Sequence, residues 1–139
     1  MPQPQPAETD AAPAPRGTLM AGRRGVVMGV ANDRSIAWGI AQAVAAQGGE
    51  IAFTYQGEAL EKRVRPLAEG IGSPLVLPCD VTDDASVDTV FSRVAEQWGG
   101  LDFVVHAIGF ADKNFLRGKY LDTPRAAFLQ ALDISCYSF

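Results

Sequence analysis

The stretch from Val26 to Gly39 constrains the fold more than any other part of the chain. It begins with a short apolar run, turns at Gly29, and passes through a small polar loop into an amphipathic helix. A buried strand, a glycine turn and a helix N-terminus in this order provide backbone N–H groups that can bind a pyrophosphate. The spacing is not G-x-G-x-x-G, because Ser35 stands where a phosphate-loop glycine is expected.

Apolar runs and helical patterns alternate after this stretch. The first strand has no polar alternation, which is typical of a parallel strand covered on both faces. Strands are predicted at 25–29, 50–55, 75–79 and 101–106, and helices at 35–47, 58–69 and 84–98. This β-α-β-α-β-α-β order predicts an α/β fold of the Rossmann type, with a doubly wound parallel sheet and helices on both faces.

Several helices carry more specific expectations. The apolar surface of the first helix is predicted to combine a row of alanines with a row of larger residues, Ile36, Ile40 and Val44. Gly39 is expected to let this helix pack closely on the strand. Pro66 is expected to kink or shorten the second helix. After a polar loop at 110–122, Thr123 is expected to cap a last helix, with Pro124 in its first turn.

The first twenty residues form a Pro/Ala-rich segment of different composition. Five of the nine prolines lie there: Pro2, Pro4, Pro6, Pro13 and Pro15. Such a segment buries too little apolar area to offset the entropy of ordering it. We therefore predict a disordered tail over residues 1–20 and an ordered domain over residues 21–139.

Composition narrows the function classes. The net charge of −4 and the lack of a basic patch argue against nucleic-acid binding. No apolar run approaches the roughly 20 residues of a membrane span, and no signal-peptide core precedes the domain, which predicts a cytoplasmic protein. Cys79 and Cys136 have no metal-binding spacing and His106 is the single histidine, so no metal site is predicted.

The predicted strand ends form a candidate ligand site, because ligands of such sheets bind at the carboxyl ends of the strands. Gly29 permits the tight turn, and Ser35 can both cap the first helix and donate its hydroxyl to a phosphate; a cap alone is the alternative. Gln56 can hydrogen-bond a ribose, and no arginine follows it to attract a 2′-phosphate. This chemistry favours NAD over NADP, although a solvated turn residue is the alternative for Gln56.

The third and fourth strand ends add further candidates. A carboxylate at Asp80 can bind the adenine amino group while Val81 reads the ring edge, although a turn residue is the alternative. Small residues around Ile108 and Gly109 leave room for a ribose or nicotinamide. His106 is interpreted as a packed side chain in preference to a catalytic one.

Three motifs, taken together, resemble the enoyl-acyl-carrier-protein reductases (NADH) of the short-chain dehydrogenase/reductase superfamily. They are Gly29-Val30-Ala31 with Ser35-Ile36-Ala37-Trp38-Gly39, Phe53-Thr54-Tyr55-Gln56 with Cys79-Asp80-Val81, and His106-Ala107-Ile108-Gly109-Phe110-Ala111 with Asp133-Ile134-Ser135-Cys136-Tyr137-Ser138-Phe139. Both the first and third depart from the usual superfamily pattern toward the enoyl reductases. The resemblance covers about residues 21–139 and implies the N-terminal portion of such an enzyme, with an incomplete sheet of the first four strands.

The resemblance also implies roles for individual residues. Gly29, Ser35 and Ile36 are implied to contact the pyrophosphate region. Gln56, Asp80 and Val81 are implied to contact adenosine and adenine. Ile108 and Gly109 are implied to contact ribose and nicotinamide, and Ala111 the acyl substrate. The implied reaction is the NADH-dependent reduction of trans-2-enoyl thioesters on acyl carrier protein in fatty acid synthesis. The complete enzyme is implied to be a homotetramer.

The catalytic Tyr-x6-Lys pair of the family is missing from the matched stretch. Only Tyr55 and Lys62 have this spacing, and they span a strand end and the next helix, which the family pair does not. No catalytic residue is therefore assigned, and the chain alone is predicted to be inactive. The alternatives are another member of the superfamily, such as a ketoacyl reductase, and a non-catalytic nucleotide-binding module.

Overall fold

The computed structural model describes Pro13 and residues 15–139. Within them, strands and helices alternate along the chain. Their bounds are β1 Arg24–Met28, α1 Ile36–Ala46, β2 Glu50–Tyr55, α2 Glu58–Gly70, β3 Leu75–Pro78, α3 Asp84–Trp98, β4 Phe103–His106 and α4 Arg125–Leu132. Two 3₁₀ turns, Lys113–Phe115 and Tyr120–Asp122, precede α4, and a π-helical turn, Asp133–Tyr137, follows it.

The four strands form one parallel sheet in the order β3-β2-β1-β4. Val26 of β1 is in register with Ala52 of β2 on one side and with Val104 of β4 on the other. The chain therefore moves outward from β1 to β3 and then crosses to the opposite side of β1, so the strand order reverses between β1 and β4. This confirms the predicted Rossmann-type sheet, and a reversal of this kind opens a crevice at the strand ends.

Two hydrophobic clusters cover the two faces of the sheet. On one face, Val27 and Phe53 pack among residues of α1 and α2, including Trp38, whose ring centroid lies 6.1 Å from that of Phe53. On the other face, Val26 and Met28 pack against α3 through Val90 and Val94. Alternate residues of β1 thus serve opposite faces, as the period of two in a strand requires.

The alanine row of α1 packs more closely on the sheet than the larger apolar row does. Ala37 and Ala41 are buried beside Trp38, whereas the Ile36 side chain is 81% exposed. Small side chains bring the helix backbone near the sheet and leave the neighbouring row at the margin of the contact. The expected packing role of Gly39 is wrong, because it is exposed and an added Cβ would meet no described atom within 4 Å.

Two expectations about helix ends also need correction. Helix α2 continues through Pro66 to Gly70, so it is not shortened, and the alternative of a kink at Pro66 stays a prediction. Pro66 lies on the exposed side, where water can satisfy the carbonyl group that loses its helical partner. The expected capping by Thr123 is wrong: Pro124 has an extended ψ of 152° and occupies the N-cap position, so α4 begins one residue later.

The end of the predicted tail contacts α1. Gly17 N–H donates to the Ala46 carbonyl at 2.9 Å, and Met20 N–H donates to the Gln47 carbonyl at 2.9 Å. Residues 1–12 and 14 lie outside the described part of the chain, and the tail boundary at residue 20 stays a prediction. None of the helices in the described part is long and apolar enough to cross a membrane.

Candidate cofactor site

A cavity of about 200 Å³ lies at the carboxyl ends of the strands, where the strand order reverses. All four strand ends contribute to its walls. The residues from the predicted set that line it are Gly29, Gln56, Asp80, Val81, Ile108 and Gly109. Ser35, Ile36 and Ala111 are outside this lining, although Ser35 is bonded to the lining residue Ala31 and Ala111 follows the lining residue Phe110.

Gly29 lets the end of β1 approach the end of β4. Its φ is +102°, and a Cβ added there would lie 2.0 Å from the carbonyl oxygen of Ala107. Next to Gly29, the last hydrogen bond between the ends of β1 and β4 joins Ala107 N–H to the Met28 carbonyl at 3.1 Å. A side chain at position 29 is therefore excluded both by the backbone conformation and by direct overlap.

Ser35 occupies the N-cap position of α1, but the predicted side-chain cap is wrong. Its Oγ turns back into the preceding loop and accepts from Ala31 N at 2.9 Å and from Asn32 N at 3.1 Å. Within the described residues, no side chain caps the start of α1. The hydroxyl proton and the first amides of the helix, at Ile36 and Ala37, are consequently available to an anionic ligand.

Asp80 is organised by the turn that follows β3. Its Oδ1 accepts from Thr82 Oγ1 at 2.6 Å and from Thr82 N at 2.9 Å. These bonds, the side-chain bond first, hold the pKa of Asp80 below its ordinary value, and the side chain of Gln56 lowers this pKa further. The carboxylate is thus ionised and faces the same cavity as Gln56.

Sequence reasoning missed several lining residues. Tyr55 ends β2 and Cys79 follows β3 directly, and burial is the main cause that raises the pKa of each. Thr82 had a local signal, since an Asp two residues before a Thr is typical of an Asx turn. Phe110 and Ile134 had none, because two residues 24 positions apart that line one cavity leave no local pattern.

His106 packs at the end of β4, as interpreted from the sequence. Its ring contacts Phe139 edge-on, with centroids 5.5 Å apart, and its Nε2 lies 2.7 Å from Ser138 Oγ. Ser138 donates its only hydroxyl proton to the Ile134 carbonyl at 2.6 Å, so His106 must donate to Ser138. Nε2 of His106 is therefore the donor in this contact. Among residues 15–139, His, Cys, Asp and Glu side chains form no group of three suited to a metal ion.

Residues 29–139 match the family described as Enoyl-(Acyl carrier protein) reductase. The chain belongs to this family. Enoyl-[acyl-carrier-protein] reductase [NADH] 2 of Rhizobium meliloti (strain 1021) is 63% identical over 121 residues, which are 87% of this chain and 45% of that protein. The FabI reductase [NADH] of Rickettsia bellii is 48% identical over 86% of this chain and 46% of its own length. The chain spans about half the length of these reductases.

Solved structures of reductases superpose on the same part of the fold. The Anaplasma phagocytophilum reductase, solved in complex with NAD, has a TM-score of 0.86 and 58% identity over 90% of this chain and 48% of that one. The Bacillus cereus reductase, solved with NADP+ and an indole naphthyridinone, has a TM-score of 0.84 and 46% identity over 86% and 48%. This chain therefore corresponds to about half of a reductase structure.

Proposed function

We propose that this chain supplies the cofactor-binding half of an NADH-dependent enoyl-acyl-carrier-protein reductase. The observation that carries the proposal is the cavity bordered by all four strand ends in a chain of this family. The substrates of the complete protein are trans-2-enoyl thioesters on acyl carrier protein in fatty acid synthesis. The complete protein is a cytoplasmic homotetramer.

The donors around the cavity fit the parts of a dinucleotide. The uncapped amides at the start of α1, the Ser35 hydroxyl and the turn at Gly29 would hold the pyrophosphate, with Ile36 beside it. Gln56 would bind the adenosine ribose. The adenine ring would lie against Asp80 and Val81, and the ribose-nicotinamide portion against Ile108 and Gly109, with Ala111 at the acyl substrate. When bound, NADH supplies the hydride for the β-carbon of the enoyl thioester.

The surroundings of Gln56 support NADH over NADPH. Gln56 is neutral and is followed by Gly57, so no adjacent cation would pair with a 2′-phosphate. Arg65, whose pKa is raised chiefly by its bond to Glu61, is already paired with that carboxylate. The relatives with 63% and 48% identity both carry NADH in their names.

The chain by itself is proposed to lack reductase turnover. Tyr55 ends β2 and Lys62 lies on the exposed side of α2, so the one Tyr-x6-Lys spacing joins two separate elements. The catalytic Tyr-x6-Lys pair that the family resemblance implies would instead lie on one helix surface. Incubation with NADH and a crotonyl thioester should show no oxidation of NADH at 340 nm, and measurable turnover would overturn this part of the proposal.

Ligand titration tests the cofactor assignment directly. We expect weak but saturable quenching of NADH fluorescence by the chain, and weaker binding of NADPH. Asp80→Asn keeps the shape but removes the charge, and should weaken NADH binding by about tenfold, or about 1.4 kcal/mol. Asp88→Asn on the exposed side of α3 is the matched control and should leave binding unchanged. Equal losses in both variants, or a preference for NADPH, would contradict the assignment.

A further inference from the structure

The hydroxyl group of Ser135 makes two hydrogen bonds to the backbone of a single residue, Phe110. Ser135 Oγ accepts from Phe110 N at 3.0 Å and donates to the Phe110 carbonyl oxygen at 3.2 Å. The two residues are 25 positions apart in the chain. One side chain thus satisfies both backbone groups of Phe110, as a neighbouring strand does in a sheet.

The contact from Ser135 holds the segment between Ala107 and Asp112, which makes no other hydrogen bond among the described residues. The ladder between β1 and β4 ends with the bond from Ala107 N–H to Met28, and the next backbone bond begins at the Asp112 carbonyl. Between these two points, the hydrogen bonds present among the described residues are those from Ser135. The segment includes the proposed nicotinamide-side residues Ile108 and Gly109, and Gly109 has no side chain that could anchor it.

A second hydroxyl fixes the position of Ser135 itself. Ser135 belongs to the π-helical turn after α4, where the helical hydrogen-bond pattern is widened. Ser138 joins this turn to β4, since it accepts from His106 and donates to the Ile134 carbonyl at 2.6 Å. The turn is therefore bonded to β4 through Ser138, and to Phe110, just beyond the end of β4, through Ser135.

We propose that Ser135 is a positioning residue for the nicotinamide side of the cofactor pocket, an inference that rests on the proposed function. Phe110 and Ile134, on the two segments that Ser135 joins, both line the cavity. Removal of the hydroxyl leaves the Phe110 backbone without its partner, so the cofactor must order this wall when it binds. The adenosine side, at Gln56 and Asp80, is built from β2 and β3 and does not depend on Ser135.

Comparison of NADH with ADP, which lacks both the second ribose and nicotinamide, tests this assignment. The variants of the full chain are Ser135→Ala, Ser135→Thr as the conservative rescue, and Ser92→Ala on the exposed side of α3 as control. We expect Ser135→Ala to weaken NADH binding about tenfold, to change ADP binding less than twofold and to speed hydrogen exchange at the Phe110 amide. Ser135→Thr should restore most of the NADH affinity, and Ser92→Ala should change neither ligand.

The outcomes separate this inference from the proposed function. Unchanged NADH affinity in Ser135→Ala, or an equal loss for NADH and ADP, overturns the positioning role and leaves the proposed cofactor site standing. Failure of the unaltered chain to bind either ligand overturns both. If Ser135→Ala does not fold, Ser135→Cys retains the shape with weaker hydrogen bonds, and the same contrast between the two ligands decides.

Discussion

Asp80 and Thr82 form a contact of two residues on the side of the cavity proposed for adenine. The Thr82 hydroxyl and amide both donate to one carboxylate oxygen, so the carboxylate has a fixed orientation before any ligand arrives. Such charge-assisted bonds favour the ionised form and lower the pKa of the acid. The same contact therefore links the geometry of the site to the stability of the fold.

Replacement of Thr82 by Val should raise the pKa of Asp80 part of the way toward 3.8, its ordinary value. The depressed pKa contributes stability that is complete above pH 3.8 and is lost as the pH falls through the folded-state pKa. The variant should consequently lose stability at neutral pH but not below the folded-state pKa. Carboxyl titration by NMR and unfolding at several pH values measure both effects.

Thr89→Val provides the control for this experiment, because the Thr89 hydroxyl donates to the Ala85 carbonyl within α3 and touches no carboxylate. It should leave the Asp80 titration unchanged. An unaltered Asp80 pKa in Thr82→Val would contradict the role of the Thr82 hydroxyl.

Gly29 and Gly39 form a natural pair for testing backbone constraints. Gly29→Ala places a methyl group against the Ala107 carbonyl at a φ of +102°, and should cost about 2 kcal/mol or more. Gly39→Ala lies on the exposed surface of α1 and should stabilise by about 1 kcal/mol, since alanine favours helix. Denaturant unfolding of both variants gives the comparison, and equal destabilisation would refute the argument for Gly29.

Some site residues could be predicted from the sequence because strand ends are readable locally. The apolar runs before Gly29, Gln56 and Asp80 placed these residues at one edge of the sheet, where the structure has them. The hydroxyl direction of Ser35 could not be predicted, because a cap and a turn back to Ala31 use the same residue type. The contact between Ser135 and Phe110 depends on tertiary placement alone.

At the scale of whole elements, α1 shows what periodicity can and cannot determine. The repeat predicted the helix and its apolar side, and the glycines that follow correctly predicted its end. The periodicity alone does not show which of the two adjoining apolar rows is the more deeply buried. In the structure, the alanines Ala37 and Ala41 are buried and Ile36 is exposed. Whether a proline ends a helix depends on its exposure, which could not be predicted from the sequence. Pro66 is tolerated within α2 because its side of the helix faces water.

The C-terminal end of α1 is joined to the segment before β1 by Gln47. Its Nε2 donates to the Pro15 carbonyl at 2.6 Å, and its Oε1 accepts from Leu19 N at 3.4 Å. Gln47→Ala should cost about 1 kcal/mol, because these bonds are exposed, and should make residues 15–20 more sensitive to proteolysis. Gln97→Ala on exposed α3 is the control, and identical cleavage in both variants would contradict this role.

At the scale of the molecule, the two halves of the fold differ in how their apolar side chains are covered. The buried apolar side chains of β1, β2 and the first three helices form two clusters. Helix α4 has no buried residue. Most of the exposed large apolar side chains fall within residues 110–139, including Leu116, Leu121, Leu129 and Leu132.

This uneven covering predicts association of the 139-residue chain in solution. Concentrated apolar exposure favours contact with other molecules, and the edge strand β4, which exposes Val104, offers unpaired backbone groups as well. Sedimentation velocity should show a mass that rises with concentration, together with binding of an apolar dye. Leu129→Lys with Leu132→Lys should lower both, whereas Leu19→Lys, at a leucine that is even more exposed but lies outside this region, should not. A monomer at every concentration, with no dye bound, would mean that the exposed side chains cover one another in solution.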